Sequence, residues 1–406
     1  MFLREITLRN LLSFGPETPP FALRNLNVLI GPNGSGKSNF IEAIGLLQAA
    51  PTDITKPIQR GGGIDEWLWK GLSEKVKASI TIELNEPESL SPFSIWHHCE
   101  IQDLGHVIPH FAGQVEAISI SDEWVDIPAS EGDRRERIFD RKKEQSSPPS
   151  SSTGSHSIVL DQNQSILSQA YLFGRDHEEE FMLKQAPTAL LLLLEFYKRI
   201  RIYRDWSFGR SCPLRLPQQS DEKGDFLAED YLNLGLVLNR LKRNLPVKRE
   251  LLELLGDLYP GITDFGIDVL GGRVQLYLEE ERFPVPATRL SDGTLRYLCL
   301  LAILCHPKPP PLICIEEPEL GLHPDVLVNL AKLIKKASER TQLIITTHSE
   351  ILVDALTYSP EDVVICEKGE SGTVMRRLDG EDLKEWLEHY TLGQLWSRGE
   401  IGGNRW

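Results

Sequence analysis

Gly31-Pro32-Asn33-Gly34-Ser35-Gly36-Lys37-Ser38 decides how the rest of this chain is read. The stretch fits G-x-x-x-x-G-K-[ST], follows the apolar run Val28-Leu29-Ile30, and leads into Asn39-Phe40-Ile41-Glu42-Ala43-Ile44, whose spacing is helical. A strand, a glycine-rich loop and a helix start form the context in which this pattern binds phosphate. Glycines let the backbone curl round an anion so that its N–H groups and the helix N-terminus converge on it. Lys37 then adds positive charge at the β- and γ-phosphates, and the Ser38 hydroxyl is placed for Mg2+.

At 406 residues the chain can bury a substantial core, enough for two or three domains or one large head with insertions. Its 41% hydrophobic and 25% charged residues suit a globular protein. No run approaches the roughly eighteen apolar residues of a membrane span; 189–194 and 298–304 suit buried helices. The first residues, Met1-Phe2-Leu3-Arg4-Glu5, lack a signal-peptide layout, so the expected location is cytoplasmic, with no membrane partner. Six cysteines contain no C-x-x-C pair and read as reduced core residues. A net charge of −15 argues against a uniformly basic nucleic-acid coat and leaves room for a local basic groove.

Along the chain, Ile6, Leu8, Asn10, Leu12 and Phe14 alternate as in a strand before the proline-rich turn Pro16 to Pro20. Residues 78–84 alternate again. From about Pro87 to Glu180 the pattern weakens, and the polar stretch 145–155 reads as a mobile surface loop. Spacing is helical over Phe181–Arg204 and Phe226–Leu258, and strand-like over Val274–Leu278. After Ser291 helix and strand alternate as in an α/β core. There is no internal repeat and no long heptad region.

Three further segments carry chemistry. Ile313-Cys314-Ile315-Glu316-Glu317-Pro318-Glu319 is a short apolar strand ending in acids. A nucleotide hydrolase needs one carboxylate at a strand tip to support Mg2+ and a second to orient and deprotonate the attacking water; Glu316 fits the first role and Glu317 the second. Leu290-Ser291-Asp292-Gly293-Thr294 opens an apolar helix, either as a plain cap or as a second anion site. One domain does not need two such sites for one triphosphate. Leu343-Ile344-Ile345-Thr346-Thr347-His348-Ser349 is a buried strand ending in a histidine able to donate to a γ-phosphate or to water.

In order, GPNGSGKS, LSDGT, ICIEEPE and ITTHS resemble the Walker A, signature, Walker B and H-loop of ABC-type ATPases, in the branch holding RecF, the SMC proteins and the ATPase half of OLD-family nucleases. The opening strand and Pro318-Glu319-Leu320-Gly321-Leu322-His323-Pro324, at the D-loop position, are similar to that branch too. The resemblance covers about half the chain. It implies an α/β fold, a P-loop NTPase of the ABC-type ATPase head class with an N-terminal β lobe and a mainly helical insertion. The expected parts are 1–84, the strand lobe and Walker A; 85–285, an insertion first mixed and then helical, with a disordered loop at about 145–157; 286–370, the rest of the head; and 371–406, a tail.

The resemblance also implies that two heads clamp two ATP molecules head to tail as a homodimer, which accounts for the surplus anion site. Ser291 and the Gly293 amide would reach the γ-phosphate held by the partner's phosphate loop. Gly31, Asn33, Gly34, Ser35, Gly36, Lys37, Ser38 and Asn39 would bind ATP, Ser38 and Glu316 would hold Mg2+, and Glu317, His348 and Lys37 would be catalytic. Asp292, where transporters and SMC proteins usually carry glycine, places a negative charge near the partner's phosphates unless it points away. Gln59 is a weak match for the Q-loop. Residues 349–406 are too few for a Toprim nuclease domain, so the expected effector is separately encoded, Toprim-like or otherwise.

Basic clusters at Arg134–Arg137 with Arg141–Lys143, at Lys198–Arg204 and at Arg240–Arg243 with Lys248–Arg249 are candidate DNA contacts or ordinary solvated faces. The tail from Leu392 suits docking of a partner protein or a disordered end. The expectation is a Mg2+-dependent ATPase acting in DNA repair or in defence against foreign DNA. The rival is a nucleotide-sensing regulator of a protein partner that never touches DNA.

Overall fold

The computed structural model describes residues 2–71, 77–86, 93–103, 118–129, 134–141, 161–168, 186–206, 208–210, 212–221, 223–281 and 283–403. The loop expected at 145–157, Lys142, Lys143 and the last three residues lie outside the described residues. The chain runs β1 (Phe2–Arg9), β2 (Phe21–Ala22), β3 (Leu26–Ile30), α1 (Lys37–Ala49), α2 (Thr55–Arg60), α3 (Ile64–Trp67), β4 (Ala78–Glu86), β5 (Phe93–Asp103), β6 (Ile118–Pro128) and β7 (Arg135–Asp140). It continues with α4 (Ala186–Lys198), β8 (Arg201–Tyr203), β9 (Gln218–Gln219), α5 (Leu234–Leu241), α6 (Leu245–Leu258), β10 (Ile262–Leu270), β11 (Arg273–Glu280), β12 (Phe283–Pro286), α7 (Asp292–Leu304) and β13 (Leu312–Glu316). The last elements are α8 (Pro324–Ala337), β14 (Gln342–Thr346), α9 (Glu350–Asp354), β15 (Val363–Gly369), β16 (Gly372–Arg377), α10 (Lys384–Leu387) and α11 (Leu392–Ser397). Two compact units emerge: Met1–Arg24 with Gly31–Ile200 and Ile365–Arg376, and Asn25–Ile30 with Arg201–Val364 and Arg377–Trp406.

The first unit is built on an antiparallel sheet in the order β2-β1-β4-β5-β6-β7. Ile6 faces Ile82 and Leu8 faces Ile80, so the alternation legible in the sequence puts apolar side chains on one face. The middle span, expected to be mainly helical, contributes β5, β6 and β7 to this sheet. Their alternation is concealed because buried positions hold polar residues: His97, Asp122, Glu123 and Asp126. Glu123 is fully buried and needs partners to be so. It accepts from Ser165 Oγ, from the Ile166 amide at 3.0 Å and from Arg141 at 3.2 Å, while His97 Nε2 stands 3.4 Å away and His97 Nδ1 is 2.8 Å from the Tyr197 hydroxyl. Burial raises the Glu123 carboxyl, but the bond and charge of His97, the charge of Arg141 and the Ser165 bond outweigh it and hold the group below its ordinary range.

In the second unit β3, β14, β13 and β8 pair in parallel, with β14 between β3 and β13. Strands β3 and β14 are buried throughout and β13 up to its last residue, the continuous apolar reading expected where a parallel sheet is covered on both faces. Helix α7 is buried on every side from Thr294 to Leu304, so it runs through the core. Helix α8 starts at Pro324 in the first turn and carries Lys335 and Lys336 in its last turn, where the helix dipole favours cations. The segment around α11 is packed. Leu392, Leu395 and Trp396 of α11 are buried, Thr391 and Gln394 form a capping box, and the Gly393 amide donates to Asp354 of α9 at 2.7 Å.

Candidate functional site

The phosphate-loop pattern forms a tight turn in the first unit. Gly31, Gly34 and Gly36 have φ of 148°, 79° and 100°, which side chains rarely adopt. A Cβ on Gly31 would lie 2.2 Å from the Cys366 carbonyl oxygen, and one on Gly36 2.2 Å from Thr373 Oγ1, so the loop closes only with glycine there. Asn33 and Gly34 are exposed at its tip, with nothing within 4 Å of the Gly34 Cβ position. Ser35 is buried, its carbonyl accepts from Thr373 Oγ1 at 3.1 Å, and its own hydroxyl has no hydrogen-bond partner among the described residues. The buried Lys37 donates to the carbonyls of Gly31 at 2.7 Å and Pro32 at 3.1 Å. Helix α1 has no side-chain cap and no acid in its first turn, so its terminal N–H groups and dipole stay available to an anion. Ser38 is exposed and Asn39 half-buried on that turn.

The acids and the histidine meet in the second unit. Glu316 ends β13 opposite Thr346, and Thr346 pairs with Leu29 of β3, one residue before Ile30 leads into the phosphate loop. Within the second unit the tips of β13 and β14 are thus neighbours, and the acidic turn and the histidine segment follow them. Glu317 adopts φ 45°. Its amide donates to Thr346 O at 3.0 Å and approaches Thr346 Oγ1 at 3.2 Å. Its Oε1 stands 3.7 Å from His348 Nε2, and both side chains are more than a third exposed, within reach of water.

Glu319 was only part of a phrase in the sequence; here it organises the histidine segment. Its Oε1 accepts from Thr347 Oγ1 at 2.8 Å and from the His348 amide at 2.7 Å. Burial raises its carboxyl above the ordinary range, against the opposing pull of those bonds.

Ser291 caps α7: its hydroxyl accepts from the Thr294 amide at 3.0 Å and lies 2.8 Å from Thr294 Oγ1. A Cβ on Gly293 would come within 2.8 Å of the Gly321 carbonyl oxygen, which explains glycine there. Asp292 is paired with Arg215, a residue in no motif. The buried Arg215 also donates to Leu290 O at 2.5 Å, Ala287 O at 3.3 Å and Phe208 O at 3.4 Å. Gln59, the weak Q-loop match, lies exposed on α2.

With this geometry in view, comparison with known proteins is decisive. The sequence matches the family described as "AAA domain, putative AbiEii toxin, Type IV TA system" over residues 26–96 and 119–354. The chain belongs to that family. This AAA-domain protein is 27% identical over 95 residues to the chromosome partition protein Smc of Mycobacterium tuberculosis, a match covering 23% of this chain and 8% of the relative. It is 25% identical over 219 residues to the DNA replication and repair protein RecF of Geobacillus sp., covering 51% of this chain and 55% of the relative. It therefore spans about half the length of RecF and a small fraction of Smc. Among solved structures, an Smc head domain with an extended coiled coil, bound to the C-terminal domain of ScpA and derived from Pyrococcus furiosus, superposes with a TM-score of 0.56 at 13% identity over 95% of this chain and 98% of that one. The AAA-domain protein thus has the fold of an ABC-type ATPase head of the RecF/SMC-like branch. Among the described residues no helix is long and apolar enough to cross a membrane.

Proposed function

We propose that this AAA-domain protein binds and hydrolyses ATP with Mg2+ and uses the nucleotide to clamp two copies of itself head to tail. The observation that carries the reading is the 3.7 Å approach of Glu317 and His348 at the neighbouring tips of β13 and β14, in a chain whose β3 runs on into the phosphate loop. The residues present fit both ligands. Among the described residues the loop offers an uncapped helix terminus, a buried hydroxyl with no partner on Ser35 and an open face at Gly34, as a phosphate chain requires. Ser38 and Glu316 supply the hard oxygen donors that Mg2+ takes one or two at a time, leaving its other positions to water and phosphate. A bound Mg2+ would neutralise charge on the phosphate oxygens.

In this reading Gly31, Asn33, Gly34, Ser35, Gly36 and Asn39 shape and line the cradle, and Lys37 exchanges its loop carbonyls for the β- and γ-phosphates. Glu317 accepts the proton of the attacking water, and the His348 imidazole donates a hydrogen bond to the γ-phosphate. Ser291 and the Gly293 amide serve the other copy's nucleotide: with Thr294 Oγ1 as donor in their pair, the Ser291 proton is available to a phosphate oxygen. The Arg215 pairing offsets the Asp292 charge that would otherwise oppose such an approach.

The RecF and Smc likenesses support work on DNA, in repair or in defence against foreign DNA, with a separately encoded effector such as a Toprim-like nuclease. One observation favours a second reading, a nucleotide sensor that regulates a protein partner without touching DNA. Members of two of the three basic clusters are engaged with the chain's own acids: Arg137 with Asp126 and Asp140, Lys242 and Lys248 with Asp264, and Arg240 with Asp225. Turnover stimulated by duplex DNA supports the first reading; turnover indifferent to DNA supports the second.

The clamp is tested by the solution mass of Glu317→Gln with and without Mg2+-ATP, because removing the base traps the sandwich. A nucleotide-dependent doubling abolished by Ser291→Arg is expected. An unchanged mass with ATP demonstrably bound refutes the clamp for the isolated chain.

A further inference from the structure

Behind the acidic strand tip lies an aromatic cluster that no motif contains. The peptide unit joining Glu316 to Glu317 is held at both poles: its carbonyl oxygen accepts from Trp206 Nε1 at 2.6 Å, and its N–H donates to Thr346 O at 3.0 Å. These bonds grip the one peptide whose tilt sets where the Glu317 side chain emerges. Glu317 is in the left-handed region at φ 45°, a strained conformation that persists only where its surroundings over-determine it. Trp206 is itself fixed. Its ring stacks on Tyr231, with centroids 5.2 Å apart and planes 24° apart, and the Arg296 guanidinium lies 4.6 Å from its centroid. Arg296 comes from α7, the helix that Ser291 caps, and donates to Leu320 O in the turn after the acids.

We propose that Trp206 is a positioning residue for Glu317: its indole N–H, opposite Thr346, locks the Glu316–Glu317 peptide so that the Glu317 carboxylate stands beside His348. The Trp206 side chain does not touch nucleotide or water in this scheme; it acts through the peptide. The inference rests on the reading of Glu317 as the base, and the experiment separates the two. Because Arg296 joins the same ring to the α7 helix and to Leu320, a displacement of α7 in a head-to-tail pair would reach Glu317 through this contact.

The variant is Trp206→Phe, which keeps a ring for Tyr231 and Arg296 to stack on and removes the donor. Tyr231→Phe is the control, since the buried Tyr231 hydroxyl has no hydrogen-bond partner among the described residues and does not reach the Glu316 carbonyl. The full chain is assayed for ATP turnover and, separately, for ATP-binding stoichiometry and affinity. Misplacement of a reacting group by about 1 Å costs on the order of a hundredfold in rate. The expected result is therefore a kcat lowered about tenfold to a hundredfold in Trp206→Phe, with stoichiometry and KM for ATP unchanged, and a wild-type kcat in Tyr231→Phe. A wild-type kcat in Trp206→Phe while Glu317→Gln is inactive overturns this inference alone. A kcat loss matched by an equal loss of ATP-binding sites also overturns it, since that is the mark of a merely structural residue. Turnover undiminished in Glu317→Gln overturns the reading of Glu317 and the Trp206 assignment with it.

Discussion

Replacing Arg215 by Met tests whether the segment bearing Ser291 is held from outside its own motif. The substitution keeps an unbranched apolar stem and deletes every donor of the guanidinium. Two buried carbonyl oxygens lose their donor, Leu290 O, bonded at 2.5 Å, and Phe208 O, at 3.4 Å, while Ala287 O, at 3.3 Å from the guanidinium, keeps its bond from the Leu290 amide. A stranded buried acceptor costs about 1–3 kcal/mol, and the long Phe208 bond belongs at the weak end of that range. The Asp292 pair adds little, because the Asp292 side chain is 60% exposed and water can replace its partner. The expected destabilisation is therefore about 3 kcal/mol, read as a lowered midpoint in urea unfolding followed by tryptophan fluorescence with the slope unchanged. Arg215→Lys should recover only part, since an ammonium cannot fork to several carbonyls. The ATP-dependent mass doubling of Glu317→Gln should also weaken in the Arg215→Met background, because Leu290 directly precedes the capping serine. A loss below about 0.5 kcal/mol would refute the argument that these carbonyls depend on Arg215.

Two other outcomes follow from the same chemistry. Burial holds the folded Glu319 carboxyl above its unfolded value, so between the two the native state binds more protons than the unfolded state and stability falls as pH rises through that window. Glu319→Gln can keep both bonds to Thr347 and His348 through its amide oxygen, so urea midpoints should match wild type at acid pH and exceed it at neutral pH; parallel curves would show that Glu319 carries no such strain. All six cysteines are buried, and burial pushes the thiols of Cys99, Cys299, Cys305, Cys314 and Cys366 up. Native protein should therefore stay unmodified by iodoacetamide, and mass spectrometry should find six adducts after unfolding in guanidinium; rapid native labelling of any of them would contradict the burial.

What could be read from the sequence was local, and what could not depended on partners far along the chain. The phosphate loop is legible because its glycines, lysine and serine form one tight turn within eight consecutive residues. Strands β3, β13 and β14 are legible because a strand covered on both faces shows as an unbroken apolar run. The helical spacing over 226–258 resolves into α5 and α6, whose buried sides are largely leucine and valine. Strands β5 and β6 escaped because their inward positions include His97, Asp122, Glu123 and Asp126. Burying Glu123 is tolerable only with His97, Arg141, Ser165 and the Ile166 amide around it, and no window of a few residues contains that set.

The same reasoning accounts for the residues around the site that motif reading passed over. Arg215 lies 77 residues from Asp292, and Trp206 lies 110 from Glu316, so neither contact leaves a local trace. The groups proposed to react can be proposed from short motifs because that chemistry restricts residue type: a carboxylate to take a proton, an imidazole to donate a hydrogen bond. The groups that aim them are restricted only by geometry, since any donor reaching the Glu316 carbonyl could in principle replace an indole N–H. A left-handed Glu317 is therefore a better pointer to the supporting residues than any sequence pattern. A strained peptide has to be held by something, and the bonds at its two poles identify Thr346 on one side and Trp206 on the other.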